Sequence, residues 1–153
     1  MSHSAPLELI TDAAGSVTFG WVDDGVYYAR FSRCLSARLG DLFAARLREA
    51  AQAGPLKYFG DGRALESYDL LARSAFVRAV VEQRRQFQLL TLLNWEGAEL
   101  SSAFVSTLGD NVVVARDAFD FEARLLGCAP RARQKLGGGT QDTRQRLRWP
   151  LRR

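Results

Sequence analysis

Residues 87–94, FQLLTLLN, form a nearly continuous apolar run, and shorter apolar runs occur at residues 56–59 (LKYF) and 112–115 (VVVA). Runs of this kind are typical of strands that are covered on both faces. Each run is followed by a segment whose apolar residues recur at helical spacing: residues 69–85, 98–108 and 118–126. Strands that alternate with helices of about 10–15 residues predict βαβ units around a parallel sheet.

An antiparallel hairpin is predicted ahead of these units, because apolar side chains alternate on both sides of a turn at residues 23–25. A three-residue loop, with Gly25 in the left-handed conformation, pairs Trp21 with Tyr27 and puts the apolar partners on one face. A two-residue loop would pair Trp21 with Tyr28 and break this pattern. We therefore predict the three-residue loop.

The helices are placed by their capping signals. A first helix is expected over residues 37–53, between Ser36 as N-cap and a stop at Gly54-Pro55. Gly60-Asp61-Gly62 predicts a turn after a short strand at residues 56–59. A second helix is then expected to begin at Glu66 or Ser67 and to continue to about Arg85, and a last one to follow Asp117 and end near Leu126.

These elements predict an α/β fold. Its mixed β-sheet has an N-terminal antiparallel hairpin followed by parallel βα units, with about four helices. The 153 residues fit a single domain, for which about 100–150 residues is the commonest size. We expect a flexible N-terminus at residues 1–9 and one domain at residues 10–129.

Composition limits the cellular context. No apolar run reaches the roughly 20 residues of a membrane span, and no basic segment precedes a long apolar stretch at the N-terminus. A cytoplasmic protein is therefore expected. Cys34 and Cys128 are far apart in sequence, and two free thiols are the favoured interpretation, with a bridge between them left open.

Positive charge is concentrated at the C-terminal end. Residues 1–126 carry 13 basic and 16 acidic side chains, a net charge of −3, whereas residues 127–153 carry 8 and 1, a net charge of +7. Residues 130–153 are rich in arginine, contain a triple glycine and lack apolar periodicity, which predicts a disordered basic tail.

The order of elements over residues 10–126 resembles the STAS domain, named for sulfate transporters and anti-sigma-factor antagonists. The resemblance is carried by short motifs in the divergent bacterial, single-domain type of that family. They comprise an acid after the central strand, a YD pair at a helix start and a final D-x-x-x-FE-x-x-L helix: Asp61, Tyr68-Asp69, Asp117, Phe121-Glu122 and Leu125.

The resemblance implies a non-enzymatic regulatory or docking module that binds a partner protein through the loop and helix start after the central strand. In antagonist members that loop carries D-S-[ST]-G, whose hydroxyl is phosphorylated. This chain has Glu66, Ser67, Tyr68 and Asp69 at the corresponding place, so Tyr68 and Asp69 depart from the motif. Expected partner-binding residues are Asp61, Glu66, Ser67, Tyr68, Asp69 and Trp95.

Each of these candidates also has a structural interpretation. A phosphate on Ser67 would meet free backbone N–H groups at a helix start, whereas the unmodified hydroxyl would cap the helix. The acids Asp61, Glu66 and Asp69 offer oxygen ligands for Mg²⁺ but are also ordinary turn and capping residues. Trp95 either anchors a partner or covers the core.

Enzymatic activity is not expected. The only histidine is His3, near the N-terminus, so a nucleophile would lack an ordered general base. A phosphate-binding GxxxxGK[ST] loop is missing from the sequence. We predict no cofactor and no metal site.

A second function class places binding in the basic tail. Its arginines would contact the phosphates of a nucleic acid or an anionic membrane, with Trp149 available for stacking, and a solvated tail without a partner is the alternative. A third class, a small-ligand carrier with a pocket between the sheet and the helices, is left open, as is the oligomeric state, a homodimer included. The tail candidates are Arg144, Arg146, Arg148, Trp149, Arg152 and Arg153.

Overall fold

The computed structural model describes residues 5–94 and 101–137. Within them, six strands form one sheet, and their order in the sheet follows their order along the chain. The strands are β1 Glu8–Thr11, β2 Gly15–Asp23, β3 Val26–Leu35, β4 Leu56–Tyr68, β5 Phe87–Leu93 and β6 Val112–Val114.

Five α-helices occur in the same part of the chain: α1 Ala37–Ala53, α2 Leu70–Glu82, α3 Ser102–Leu108, α4 Ala118–Cys128 and α5 Ala132–Gly137. The capping predictions for two of them are confirmed. The Ser36 hydroxyl accepts a hydrogen bond from the Leu39 N–H at 3.1 Å, and α1 has the predicted bounds. The Asp117 carboxylate caps α4 in the same way, at 2.8 Å from the Asp120 nitrogen.

The predicted α/β class is confirmed, since the sheet is mixed. β1, β2 and β3 pair antiparallel, and β3, β4, β5 and β6 pair parallel. Strand β1 was not predicted from the sequence; it is a four-residue edge strand whose side chains are mostly exposed.

The hairpin register is as predicted, but its cause is different. Trp21 pairs with Tyr27, Phe19 with Ala29 and Val17 with Phe31. Asp23 then pairs with Val26, which leaves a two-residue turn, and the register shifts between Trp21 and Asp23. The extra residue is therefore a bulge within β2 and not a third loop residue.

Two apolar cores cover the two faces of the sheet. The first core joins the sheet to α1, α2 and α3 and includes Phe43, Tyr58 and Leu90. The second core joins the opposite face to α4 and α5 and is centred on Phe59 and Phe121, whose ring centroids are 5.9 Å apart. Both faces are thus buried, as the continuous apolar strands predict.

The prediction of a turn at Gly60-Asp61-Gly62 is wrong. These residues lie inside β4, which continues for 13 residues to Tyr68. Consequently α2 begins at Leu70 and not at Glu66 or Ser67, and its N-cap is Asp69. The helix ends at Glu82, before the predicted Arg85.

The prediction of disorder from residue 130 onward is wrong for the first part of that segment. Helix α5 lies there, and its Ala132 is buried in the second core. The Arg131 guanidinium also forms an ion pair with Asp23 at 2.8 Å, which ties this segment to the hairpin. The remaining residues, 138–153, lie outside the described residues.

Both cysteines are free and half-buried, Cys34 on β3 and Cys128 on α4. Among the helices of the described ranges, none combines the length and the apolar character needed to cross a lipid bilayer.

Candidate functional site

The sheet opens where β4 extends beyond the end of β5. β4 pairs with β5 only as far as Asp61 opposite Leu93, but it continues along β3 until Tyr68 opposite Leu35. The opening on the α2 and α3 side forms a cavity of about 270 Å³ at the carboxyl ends of these strands. This is the edge at which open α/β sheets usually bind ligands.

Two glycines of β4, Gly60 and Gly62, line this cavity. A Cβ atom on Gly62 would lie 2.8 Å from the backbone oxygen of Leu93, and one on Gly60 would lie 2.8 Å from the hydroxyl of Tyr58. Neither glycine has a positive φ, so close contacts and not backbone conformation explain their presence. Glycine inside a strand often marks such a close approach.

The described residues of the cavity wall are mostly apolar, and one cation lies among them. The Arg73 guanidinium lies over the Phe104 ring, with its carbon 4.3 Å from the ring centroid, and donates a hydrogen bond to the Tyr68 hydroxyl at 3.3 Å. No carboxylate of the described residues is within ion-pair distance of Arg73. The remaining side-chain lining comes from Phe31, Leu35, Tyr58, Leu65, Phe76, Leu92, Leu93, Asn94 and Ser101.

Tyr58 contributes a buried polar group to the cavity. Only 1% of the residue is exposed, and burial raises the pKa of its hydroxyl well above its usual range. The hydroxyl is therefore neutral and retains its proton. Across residues 5–94 and 101–137 it has no hydrogen-bond partner. Since it lies beside Gly60, it borders the open space.

Asp61, a predicted partner-binding residue, is fully buried on the opposite face of the sheet. Its carboxylate accepts hydrogen bonds from the Arg63 side chain at 2.6 Å and the Tyr28 hydroxyl at 3.3 Å. Arg63 also donates to Glu122 on α4 at 3.3 Å. Asp61 therefore links β4 to α4 and is not on the surface.

The electrostatics around Arg63 favour its charged form. Burial lowers the pKa of Arg63, but hydrogen bonding to Asp61 and the nearby negative charges outweigh burial, so the pKa is raised overall. Burial, together with the charge of Asp61, raises the pKa of Tyr28. Tyr28 therefore acts as a neutral donor to the carboxylate.

The other predicted residues of this region lie together at the end of β4. Glu66 and Ser67 are exposed strand residues, and Ser67 pairs with Cys34 of β3. The carboxylate of Asp69 caps α2 by accepting from the Leu71 nitrogen at 2.8 Å. Ser67 is thus not the helix cap, and both the capping and the dipole arguments made for it are wrong.

Two leucines follow this cap and are unusually exposed. Leu70 is 70% exposed and Leu71 is 67% exposed, although both lie in the first turn of α2. Contiguous exposed apolar patches that are rimmed by polar residues mark interaction sites in many proteins. We call Glu66, Ser67, Asp69, Leu70 and Leu71 together the α2-start surface.

The remaining site predictions are largely outside the described residues. Trp95 falls between the two ranges, and Arg144, Arg146, Arg148, Trp149, Arg152 and Arg153 follow Gly137. Within the described ranges, no three carboxylate, histidine or cysteine side chains lie close enough together to hold a metal ion.

Three cavity residues were not predicted from the sequence: Arg73, Tyr58 and Phe104. Arg73 is an ordinary charged position of an amphipathic helix, and the two aromatic residues look like core positions in a linear sequence. The paired glycines of β4 were the available signal, but Gly60-Asp61-Gly62 is also typical of a turn.

Comparison of the chain with family models, with curated proteins and with solved structures found no match.

Proposed function

We propose that this chain is a non-enzymatic regulatory module of the STAS-like type, which binds a partner protein through the α2-start surface. The observation that carries the proposal is the exposure of Leu70 and Leu71 side by side. A cytoplasmic, bacterial setting is part of the proposal, and the two free thiols fit a reducing compartment.

The chemistry of the surface defines the kind of partner. Leu70 and Leu71 offer exposed apolar area. Burial of this area by a partner contributes a binding free energy of about 25 cal/mol per Å². The neighbouring exposed acids, Glu66 and Asp69, favour basic residues at the rim of the partner. The proposed partner therefore presents an apolar patch bordered by lysine or arginine.

Ser67 offers a means of regulation at this surface. Its side chain is exposed between Glu66 and Tyr68, so a kinase has access to it. A phosphate would add a charge of about −1.5 to −2 at pH 7 beside two carboxylates. Phosphorylation is proposed to strengthen binding of a basic partner.

The test begins with capture of binding proteins by the full-length chain. Binding of a captured protein is then measured with both proteins purified. Leu70→Ser/Leu71→Ser should lose binding of the captured protein in isothermal titration calorimetry. The control is Leu9→Ser on β1, which makes the same leucine-to-serine change at one residue that is 62% exposed. Retained binding by the double variant would contradict the proposal, as would equal loss by the control.

A second pair of variants tests the regulation and the location of binding. Ser67→Asp should tighten binding of the same partner, and Ser67→Ala should leave it unchanged. Removal of residues 138–153 should also leave it unchanged. Loss of binding on this truncation would instead favour the basic tail as the interacting segment.

A further inference from the structure

We propose that the cavity between the end of β4 and helices α2 and α3 binds a small monocarboxylic acid with an aromatic body. This site is distinct from the α2-start surface, and it adds a small-molecule ligand to the proposed protein partner. Three features support it: the size of the cavity, the Arg73 cation in its described lining and the Tyr58 hydroxyl that borders it.

The volume fits a ligand somewhat larger than benzene. The cavity measures about 270 Å³. Benzene binds in a protein cavity of about 150 Å³, so the extra space equals about four water molecules at roughly 30 Å³ each. A phenyl ring that carries a three-carbon acid chain fills such a space. 3-Phenylpropionate is therefore a suitable probe.

The walls and the cation match the two ends of this ligand. Phe31, Phe76 and Phe104 provide aromatic surface for the ring. Arg73 provides a planar guanidinium, which recognises a carboxylate through paired hydrogen bonds. Stacking on Phe104 holds the guanidinium in place before a ligand arrives.

The neighbouring acid does not neutralise Arg73. Asp69, four residues earlier, directs its carboxylate to the backbone nitrogen of Leu71 at 2.8 Å. The Arg73 guanidinium donates instead to the hydroxyl of Tyr68 at 3.3 Å. The described lining of the cavity therefore carries a positive side-chain charge, which favours an anion over a neutral ligand.

The hydroxyl of Tyr58 supplies a second point of recognition. No described residue accepts a hydrogen bond from it, and it borders the open space beside Gly60. A ligand oxygen that reaches the Gly60 side of the cavity satisfies it. The two glycines of β4 leave this part of the cavity free of side chains.

The experiment is a calorimetric titration of the full-length chain with 3-phenylpropionate, compared with its neutral amide. The acid should bind with a dissociation constant of about 1 mM or lower, and the amide at least about tenfold more weakly. The same titration with Arg73→Gln should show a loss of about tenfold or more for the acid. Arg78→Gln, an exposed position of the same helix, is the matched control and should bind as the wild type does.

Two further variants locate the binding. Tyr58→Phe removes only the hydroxyl and should weaken binding of the acid severalfold. Leu65→Phe enlarges a cavity-lining side chain and should abolish binding, whereas Leu42→Phe, on exposed α1 surface, should not. Thermal unfolding of each variant confirms that it is folded.

Three results would overturn the proposal: no saturable binding of the acid, equal affinity for acid and amide, or unchanged affinity in Arg73→Gln. The variant Leu70→Ser/Leu71→Ser should bind 3-phenylpropionate as the wild type does, because neither leucine lines the cavity. Failure of the ligand proposal therefore leaves the protein-partner proposal intact, and the reverse also holds.

Discussion

Gly40 of α1 lies against Ala72 of α2 so closely that a Cβ atom on the glycine would be 2.4 Å from the Cβ atom of the alanine. Both residues are fully or almost fully buried. The two helices thus cross with their backbones nearly in contact. This crossing fixes the position of the first turns of α2, from which Leu70, Leu71 and Arg73 project.

We predict that Gly40→Ala destabilises the protein, because the added methyl group has no space at this crossing. The expected loss is about 1–3 kcal/mol of unfolding free energy, measured by urea denaturation. Gly127→Ala in α4 is the matched control, since nothing lies within 4 Å of its added Cβ. It should be neutral or stabilising by up to about 1 kcal/mol, as alanine favours helix. Equal effects of the two changes would contradict the close crossing.

Arg63→Gln should be strongly destabilising. It leaves the buried carboxylates of Asp61 and Glu122 without their common cation. Breaking a buried ion pair costs about 3–5 kcal/mol. Arg116→Gln removes an exposed arginine from an ion pair with Asp120 and should cost less than about 1 kcal/mol. Similar urea midpoints for the two variants would show that Arg63 is not needed for the core.

Asp23 should make stability depend on pH. Burial opposes its charge, but hydrogen bonds from Arg131 and Asp24 outweigh burial and lower the pKa of Asp23 in the folded state. A lowered pKa means that the stabilisation is complete above the unfolded-state value of about 3.9 and is lost as the pH falls through the folded-state value.

The variant Asp23→Asn tests this dependence. It should reduce the unfolding free energy by about 1–2 kcal/mol at pH 7, since it removes a charged acceptor for Arg131. The difference from the wild type should shrink at acidic pH, as the pH falls through the lowered pKa of Asp23 and its carboxylate becomes protonated. Asp24→Asn, whose side chain is 77% exposed, should show a much smaller effect at both pH values.

Two truncations should separate the contribution of α5 to stability from that of the residues that follow it. A chain that ends at Pro130 loses Arg131 and the buried Ala132, so its unfolding free energy should fall clearly below that of a chain ending at Gly137. Thermal unfolding of the two chains provides the measurement. The same melting temperature for both would mean that α5 contributes nothing to the second core.

Much of the fold was predictable because local signals and tertiary packing agree. The register of the hairpin followed from the alternation around Gly25, whose φ of 68° is the left-handed conformation expected there. Ser36 and Asp117 act as helix caps because their short side chains reach the free N–H groups of the next turn.

The course of β4 was not predictable from local signals. Glycine and aspartate are depleted in strands, so Gly60-Asp61-Gly62 favours a turn when read alone. In the folded chain, Arg63 and Tyr28 neutralise and satisfy Asp61, and the close approach of Leu93 requires Gly62. The contacts with Tyr28 and Leu93 are tertiary, and a sequence window around residue 61 does not contain them.

The cavity was not predictable from the sequence for a related reason. Its lining comes from β3, β4, α2, β5 and α3, and most of these residues have the apolar character of ordinary core positions. Helical and strand periodicity identifies a buried face but does not reveal where two strands separate. The exposed positions of Leu70 and Leu71 likewise depend on where α2 begins, which the predicted turn misplaced.

The order of the elements determines when each face of the sheet becomes protected during synthesis. Helices α1, α2 and α3 alternate with the strands, so the first core can form as the chain emerges. The second core needs α4 and α5, which follow the last strand. Until they have left the ribosome, Tyr28, Phe59 and the carboxylate of Asp61 face water or another chain. A nascent chain that stalls after β6 is therefore expected to be aggregation-prone, and synthesis of residues 118–137 ends that vulnerable period.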